Sequence, residues 1–173
     1  MADLEELTEL RAVAMREDLE RLGRYDDRRV RQRLRDGFNP EHTLVIEVNG
    51  ELAGCVALRP AEDCHWLEHF FLAPHAQGCG IGSAVLSRLL ESCDRDGNGN
   101  GNGDGDGDGG GGDGGGRGGG GGGDRGGGGG GRPVRLNVLQ GSPARRLYER
   151  HGFVLESEDP VDVFMVRPSP EKA

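Results

Sequence analysis

The chain is predicted to fold as one α/β domain, a mixed sheet with helices on its faces. Three observations carry that expectation. Apolar spacings switch between helical and strand periods in the order ααββ, βα, βαββ. A glycine comb, "QGCGIGS" (Gln77–Ser83), lies at a strand-to-helix junction. Outside one glycine tract, about 135 of the 173 residues are able to build a core, enough for an ordinary domain.

In chain order, Leu4, Leu7, Leu10, Ala14, Leu19 and Leu22 recur at helical spacing and predict a first helix over about residues 3–22. Val30, Leu34 and Phe38 form a second stripe, opened by Asp26 and Asp27, for a helix over about 27–37. "TLVIEV" and "LAGCVAL" flank Asn49-Gly50, whose easy access to positive φ suits a tight hairpin turn. "HWLEHFFLA", short and aromatic and closed by Pro74, reads as a third strand, after which Ile81, Val85, Leu89 and Cys93 mark one face of a helix. "VRLNVL" is a further strand. Ser142-Pro143 reads as an N-cap and N1 proline before a short helix carrying Leu147 and Tyr148, with Gly152 closing it in a left-handed conformation. "FVLES" and "VDVFMV" make a final strand pair.

Between these halves runs a Gly/Asp-rich tract, residues 97–131, with no side chains able to form a core. A disordered loop over about 94–132 is expected, interrupting a single domain of residues 1–173. Lengthening a connection from about 5 to about 35 residues costs roughly 1.7 kcal/mol of closure entropy, which a domain can absorb. Calcium binding is the alternative reading of the tract: Asp104, Asp106, Asp108 and Gly109, and again Asp94, Asp96, Asn98 and Gly99, match the first half of an EF-hand loop. Both frames fail at the twelfth position, Gly115 and Gly105.

A formal net charge of −9 argues against sequence-independent binding of nucleic acid or of an anionic membrane, both of which need basic patches. No apolar run is long enough to span a bilayer, and "MADLEELTEL" lacks the basic and apolar regions of a leader, so a cytoplasmic protein is expected. Four cysteines, Cys55, Cys64, Cys79 and Cys93, form no C-x-x-C pair and read as reduced thiols. No metal is expected. A zinc site borrowing His65, His69 or His75 is the weaker alternative.

The glycine comb is the sharpest chemical signal. Its G-x-G-x-G rhythm at Gly78, Gly80 and Gly82 differs from the dinucleotide fingerprint, and the lysine of a P-loop is absent. What remains is a turn whose N–H groups and helix N-terminus face an anion, with Gln77 at its entrance.

Gln77, Gly80 and Gly82 fit the pattern Gln/Arg-x-x-Gly-x-Gly/Ala, and "LNVLQGSPARRLYERHGFVL" downstream fits a strand, a short helix with Leu-Tyr-Glu-Arg, and Gly-Phe. In these two motifs, in this order, the chain resembles the GNAT family of N-acetyltransferases, over roughly residues 3–93 and 133–167. The resemblance implies a mostly antiparallel sheet flanked by helices and acetyl-CoA as cosubstrate. Its pyrophosphate would lie on Gln77, Gly78, Cys79, Gly80, Ile81, Gly82 and Ser83. The pantetheine arm would run beside the backbone of Phe71 and Leu72, with Ser142 and Ala144 at the start of the second-motif helix. Tyr148 matches the tyrosine that points at the CoA sulfur, which makes it the general acid. A homodimer is a family-level expectation. Three departures stand out: the strand usual ahead of the first helix is missing or the start site is internal, Ser142 stands where an asparagine is usual, and the tract replaces a short connection.

Acetyl transfer to an amine needs a neutral nucleophile, backbone donors for an oxyanion and a proton for the departing thiolate. Strict alternation puts Trp66, Glu68, Phe70 and Leu72 on one face of the third strand and His65, His69 and Phe71 on the other. Glu68 is therefore the candidate base, directly or through water. His69 is the rival, its ordinary pKa better suited to neutral pH, but it needs a bulge to enter the same site. Cys79 lies inside the phosphate loop, away from any thioester. Arg145, Arg146 and Arg150 are candidates for the CoA 3′-phosphate or simply a solvated helix face. The expected activity is acetyl transfer from acetyl-CoA to a primary amine, a small molecule or a peptide, by direct attack in a ternary complex. The alternative is a non-catalytic acyl-CoA-binding or regulatory protein. The acceptor itself is not legible: Asp26, Asp27 and Asp162 suit a cationic amine or are simply a solvated surface.

Overall fold

The computed structural model describes residues 4–96 and 131–170. The expectations placed on residues 97–130, a disordered tract or a calcium loop, lie outside the described residues.

Helices α1 (Leu4–Arg21) and α2 (Asp27–Gly37) come first, followed by strands β1 (Thr43–Val48), β2 (Glu51–Pro60) and β3 (His65–Leu72). A short 3-10 turn, Pro74–Ala76, leads through the glycine comb into α3 (Ile81–Asp96). Beyond the tract come β4 (Val134–Leu139), α4 (Ala144–Arg150), β5 (Val154–Glu158) and β6 (Asp162–Arg167). All predicted elements are present. Among the described residues no strand precedes α1.

The six strands form one sheet in the order β1-β2-β3-β4-β6-β5. Only β3 and β4 pair in parallel; every other neighbour is antiparallel. β4 follows the tract and β3 precedes it, so the central pairing joins the two halves of the chain.

Local signals explain the ends of the elements. The Asp26 carboxylate accepts the backbone N–H groups of Arg28 and Arg29 at 3.0 and 2.8 Å and caps α2. Asn49 and Gly50 have φ of 54° and 81°, the double positive φ of a two-residue hairpin turn. Gly152, at φ 88°, ends α4 as expected. At the other end of α4, Pro143 rather than Ser142 occupies the cap position, and Ser142 Oγ accepts the Ala144 N–H at 3.3 Å.

One core cluster joins α3 and α4 to the sheet, with Val56, Leu67, Leu86, Leu136, Phe153 and Met165 at its centre. A second, built on Leu7, Leu34, Cys55 and Phe71, joins α1 and α2 to β2 and β3. Cys55 and Val56 are successive strand residues, so the two clusters lie on opposite faces. Asp94, expected in the loop, is helical and is gripped by Arg167 of β6 at 2.8 and 2.9 Å; the helix runs through Asp96 because this bidentate pair ties its last turns to the sheet. Three of the four cysteines are buried, Cys79 is exposed, and all are free thiols.

Candidate active site

The site is built on a gap in the sheet. β3 and β4 pair only over His65–Leu67 and Val134–Leu136, although both strands continue beyond. From Glu68 to Leu72 the β4-facing edge of β3 has no partner strand, and Asn137–Leu139 diverge opposite it. Backbone donors and acceptors along such a wedge must be met by solvent or by an inserted chain.

The glycine comb closes the end of this wedge. Gly78 and Gly80 have φ of 73° and 83°, and a Cβ at either would point into open space. Left-handed residues flanking Cys79 turn the chain so that successive N–H groups reach the open first turn of α3. Ala84 is the first residue of this run to donate within the helix, to Gly80, at 3.0 Å. Gln77 braces the loop: its Nε2 donates to the Leu72 carbonyl at 2.9 Å. Cys79 Sγ donates to the Ala76 carbonyl at 3.1 Å. His151 Nδ1 faces the Leu147 carbonyl at 2.8 Å and so carries the proton, which leaves Nε2, 3.2 Å from the hydroxyls of both Ser83 and Ser87, to accept from one of them. The Ser83 backbone N–H belongs to the open first turn of α3 and is a donor for an anion. Gly82 packs where α3 crosses Leu147, Leu72 and Phe70.

A cavity of about 1170 Å³ passes through the wedge, from the α1/α2 face to the foot of α4. Glu68, His69, Ser142, Ala144 and Tyr148 all line it. The Tyr148 ring sits between Phe70 and Phe153, at 6.4 and 5.7 Å between centroids. Its hydroxyl has no hydrogen-bond partner among the described residues, and burial pushes the phenol well above its ordinary pKa, which keeps it protonated.

The strict alternation expected for β3 is broken. Cys55 pairs with Phe71 and Ala57 with Glu68, so His69 and Phe70 together face the single residue Val56. This is a β-bulge, with His69 at φ 49°. It reverses the facing of everything beyond it: Glu68 shares its face with Phe71, and not with Phe70 and Leu72. Glu68 also forms a bidentate ion pair with Arg59, at 2.8 and 3.3 Å. The bulge turns His69 into the cavity, with its ring against Gly37 at the end of α2.

Burial, and then the charge of Arg11, lower the His69 pKa and hold the imidazole neutral. In the unfolded chain this group titrates near 6.5. Its contribution to stability is therefore present above about pH 6.5 and is lost as the pH falls through the lower folded value. The melting temperature should fall between pH 7.5 and 5.5, and His69→Gln should remove part of that fall; identical pH profiles for the two proteins would refute it.

Arg11 escaped the sequence reading. It is only 8% exposed, lines the cavity, and donates through Nε to the Val30 carbonyl at 3.0 Å. A signal existed, since Leu4, Leu7, Arg11 and Ala14 follow the heptad spacing of the apolar stripe. Among the candidates for the CoA 3′-phosphate, Arg145 is paired with Glu149 at 3.0 Å, whereas Arg146 and Arg150 have no ion pair among the described residues. No group of three or more metal-ligating side chains is present among the described residues, and no described helix is long and apolar enough to cross a membrane.

Comparison with known proteins agrees with this geometry. The model of the acetyltransferase (GNAT) family matches residues 4–100. No curated protein matches the chain by sequence. The structure is similar to that of the PaiA N-acetyltransferase of Thermoplasma acidophilum in complex with coenzyme A, with 18% identity, 96% of this chain and 92% of that one covered, and a TM-score of 0.63. The protein PH1933 of Pyrococcus horikoshii gives the same identity and TM-score, 18% and 0.63, over 99% and 95% of the two chains. The ribosomal-protein-S18-alanine N-acetyltransferase of Escherichia coli is 15% identical, with 83% and 78% covered and a TM-score of 0.54. At these identities the likeness is one of fold.

Proposed function

The chain belongs to the acetyltransferase (GNAT) family, and from that premise we propose that it is a cytoplasmic N-acetyltransferase, one domain over residues 1–173, that moves the acetyl group of acetyl-CoA to a primary amine by direct attack in a ternary complex. The observation that carries the reading is the β3–β4 wedge, with the glycine loop and the open turn of α3 at its end and the Tyr148 hydroxyl inside.

The residues present fit acetyl-CoA. Backbone N–H groups of Gly78–Ser83, freed by two left-handed glycines, suit a pyrophosphate. The unpaired edge of β3 at Phe71 and Leu72 suits an amide-bearing arm, with Ser142 and Ala144 across the wedge. Acetyl-CoA, when bound, supplies an activated acyl thioester.

Glu68, acting through water, takes the proton that the amine sheds, and Tyr148 Oη gives its proton to the departing sulfur. A specific observation favours His69 as a second reading for the base: the bulge aims it into the same cavity as a neutral imidazole. Glu68→Gln and His69→Gln separate the two. The base should lose about a hundredfold in kcat/KM and its limb of the pH profile, whereas the other variant should stay within a few-fold.

The test of the function is calorimetric titration with acetyl-CoA, using dephospho-CoA and NAD as controls, followed by amine-dependent release of free CoA. Micromolar binding of acetyl-CoA with turnover supports the enzyme. Binding without turnover of any amine would point to an acyl-CoA-binding or regulatory protein, and no binding by the folded protein would overturn both.

A further inference from the structure

Arg11 is a buried cation with no ion pair among the described residues. Only its Nε has a partner, the Val30 carbonyl, and its Nη groups make no hydrogen bond among the described residues. Its Nη donors are reached from the cavity, where water or a bound anion can meet them. Neighbouring groups cannot serve as that anion. Burial pushes the Cys55 thiol up to about 12, so it stays protonated beside Arg11, and its Sγ is turned to the His69 carbonyl at 3.3 Å. His69 is held neutral.

Six carboxylates line the cavity and none is hydrogen-bonded to Arg11; Asp162 accepts from Asn137 and Asp159 from the backbone N–H groups of Val161 and Asp162. Glu68 pairs with Arg59, Asp18 with Arg21, Asp36 accepts from Gln32, and Asp26 caps α2. Arg33 lines the same cavity, is exposed, and has no ion pair among the described residues; its charge adds to that of Arg11 at this wall. Arg11 and Arg33 thus place two cations with no ion pair among the described residues on a cavity that Tyr148 also lines and that is large enough for a small molecule.

We propose that the acceptor is a small amine that also carries a carboxylate, with Arg11 holding the carboxylate from the α1 side of the cavity and Arg33 screening it at the mouth. A planar, delocalised guanidinium matches a carboxylate in a bidentate fork, which fixes the amine end as well as binding the ligand. This rests on the acetyl-transfer reading above; Asp26 and Asp162, which suit a cationic amine, line the same cavity.

The test uses glycine, β-alanine and γ-aminobutyrate beside their carboxamides, so that the distance from amine to carboxylate is varied with the charge. At saturating acetyl-CoA, at least one acid should be used about tenfold or more better than its amide in kcat/KM. Arg11→Met and the exposed Arg33→Gln should shrink that preference, to within about twofold for Arg11→Met, without changing the Kd of acetyl-CoA. A purely structural staple between α1 and α2 would lower the melting temperature of Arg11→Met and leave the preference intact. Binding is read independently of turnover by NMR titration of the same acids as N-acetyl derivatives against their N-acetyl carboxamides. Binding of an N-acetyl acid, but not its amide, that is weakened in Arg33→Gln supports the carboxylate site at Arg11; where acetyl-CoA does not bind, it is the acetyl-transfer reading that fails and not this site. Equal response to acid and amide in both assays, or a preference untouched by both substitutions, overturns it; if Arg11→Met does not fold, Arg33→Gln alone decides.

Discussion

Tyr148→Phe should lower kcat by about a hundredfold or more while the Kd of acetyl-CoA stays within about twofold. The substitution is nearly silent for the fold. The aromatic ring that packs between Phe70 and Phe153 is kept, and the hydroxyl removed has no partner among the described residues, so no buried donor or acceptor is orphaned. What is lost is the proton proposed for the departing sulfur, which burial keeps on the phenol at neutral pH. Steady-state rates with a productive amine, together with calorimetry of acetyl-CoA, check this. An unchanged kcat would reduce Tyr148 to a core ring and move the proton to water.

Gly54→Val should destabilise the protein by about 3 kcal/mol or more, seen as a fall in melting temperature of about 10 °C. Gly54 faces Leu72 across the β2–β3 ladder, and a Cβ on it would collide with the carbonyl oxygen of Phe71. The obstacle is backbone, so no rotamer change relieves it. Either β2 and β3 separate or the end of β3 shifts, and the second would also disturb the edge assigned to pantetheine. Gly23→Ala is the control. Gly23 has φ 66° but open space around it, so only conformational strain of about 1 kcal/mol is expected. Equal melting temperatures for the two variants would show that the strands yield at Gly54 without cost.

What was legible in the sequence was local. Helical stripes, the Asn49-Gly50 turn, the Asp26 cap and the Gly152 stop rest on interactions spanning a few residues, and each element appears within a residue or two of where those signals put it. The glycine comb was legible for the same reason: two left-handed turns before a helix are a property of the chain segment itself.

Tertiary structure decided the rest. Alternation along "HWLEHFFL" gave no hint of the bulge at His69, because the bulge exists only in register with β2, where two residues share the single partner Val56. That slip moved Glu68 to the face of Phe71 and admitted His69 to the cavity. Arg11 reads as one more charged residue of an acidic helix until α2 and β3 close over it and leave its guanidinium with no ion pair among the described residues. Asp94 reads as the edge of a linker until Arg167, far along the chain, takes its carboxylate. Periodicity and turn chemistry are fixed by neighbours in sequence, whereas burial, register and unmet charge depend on neighbours in space, and the chemistry proposed here depends on those.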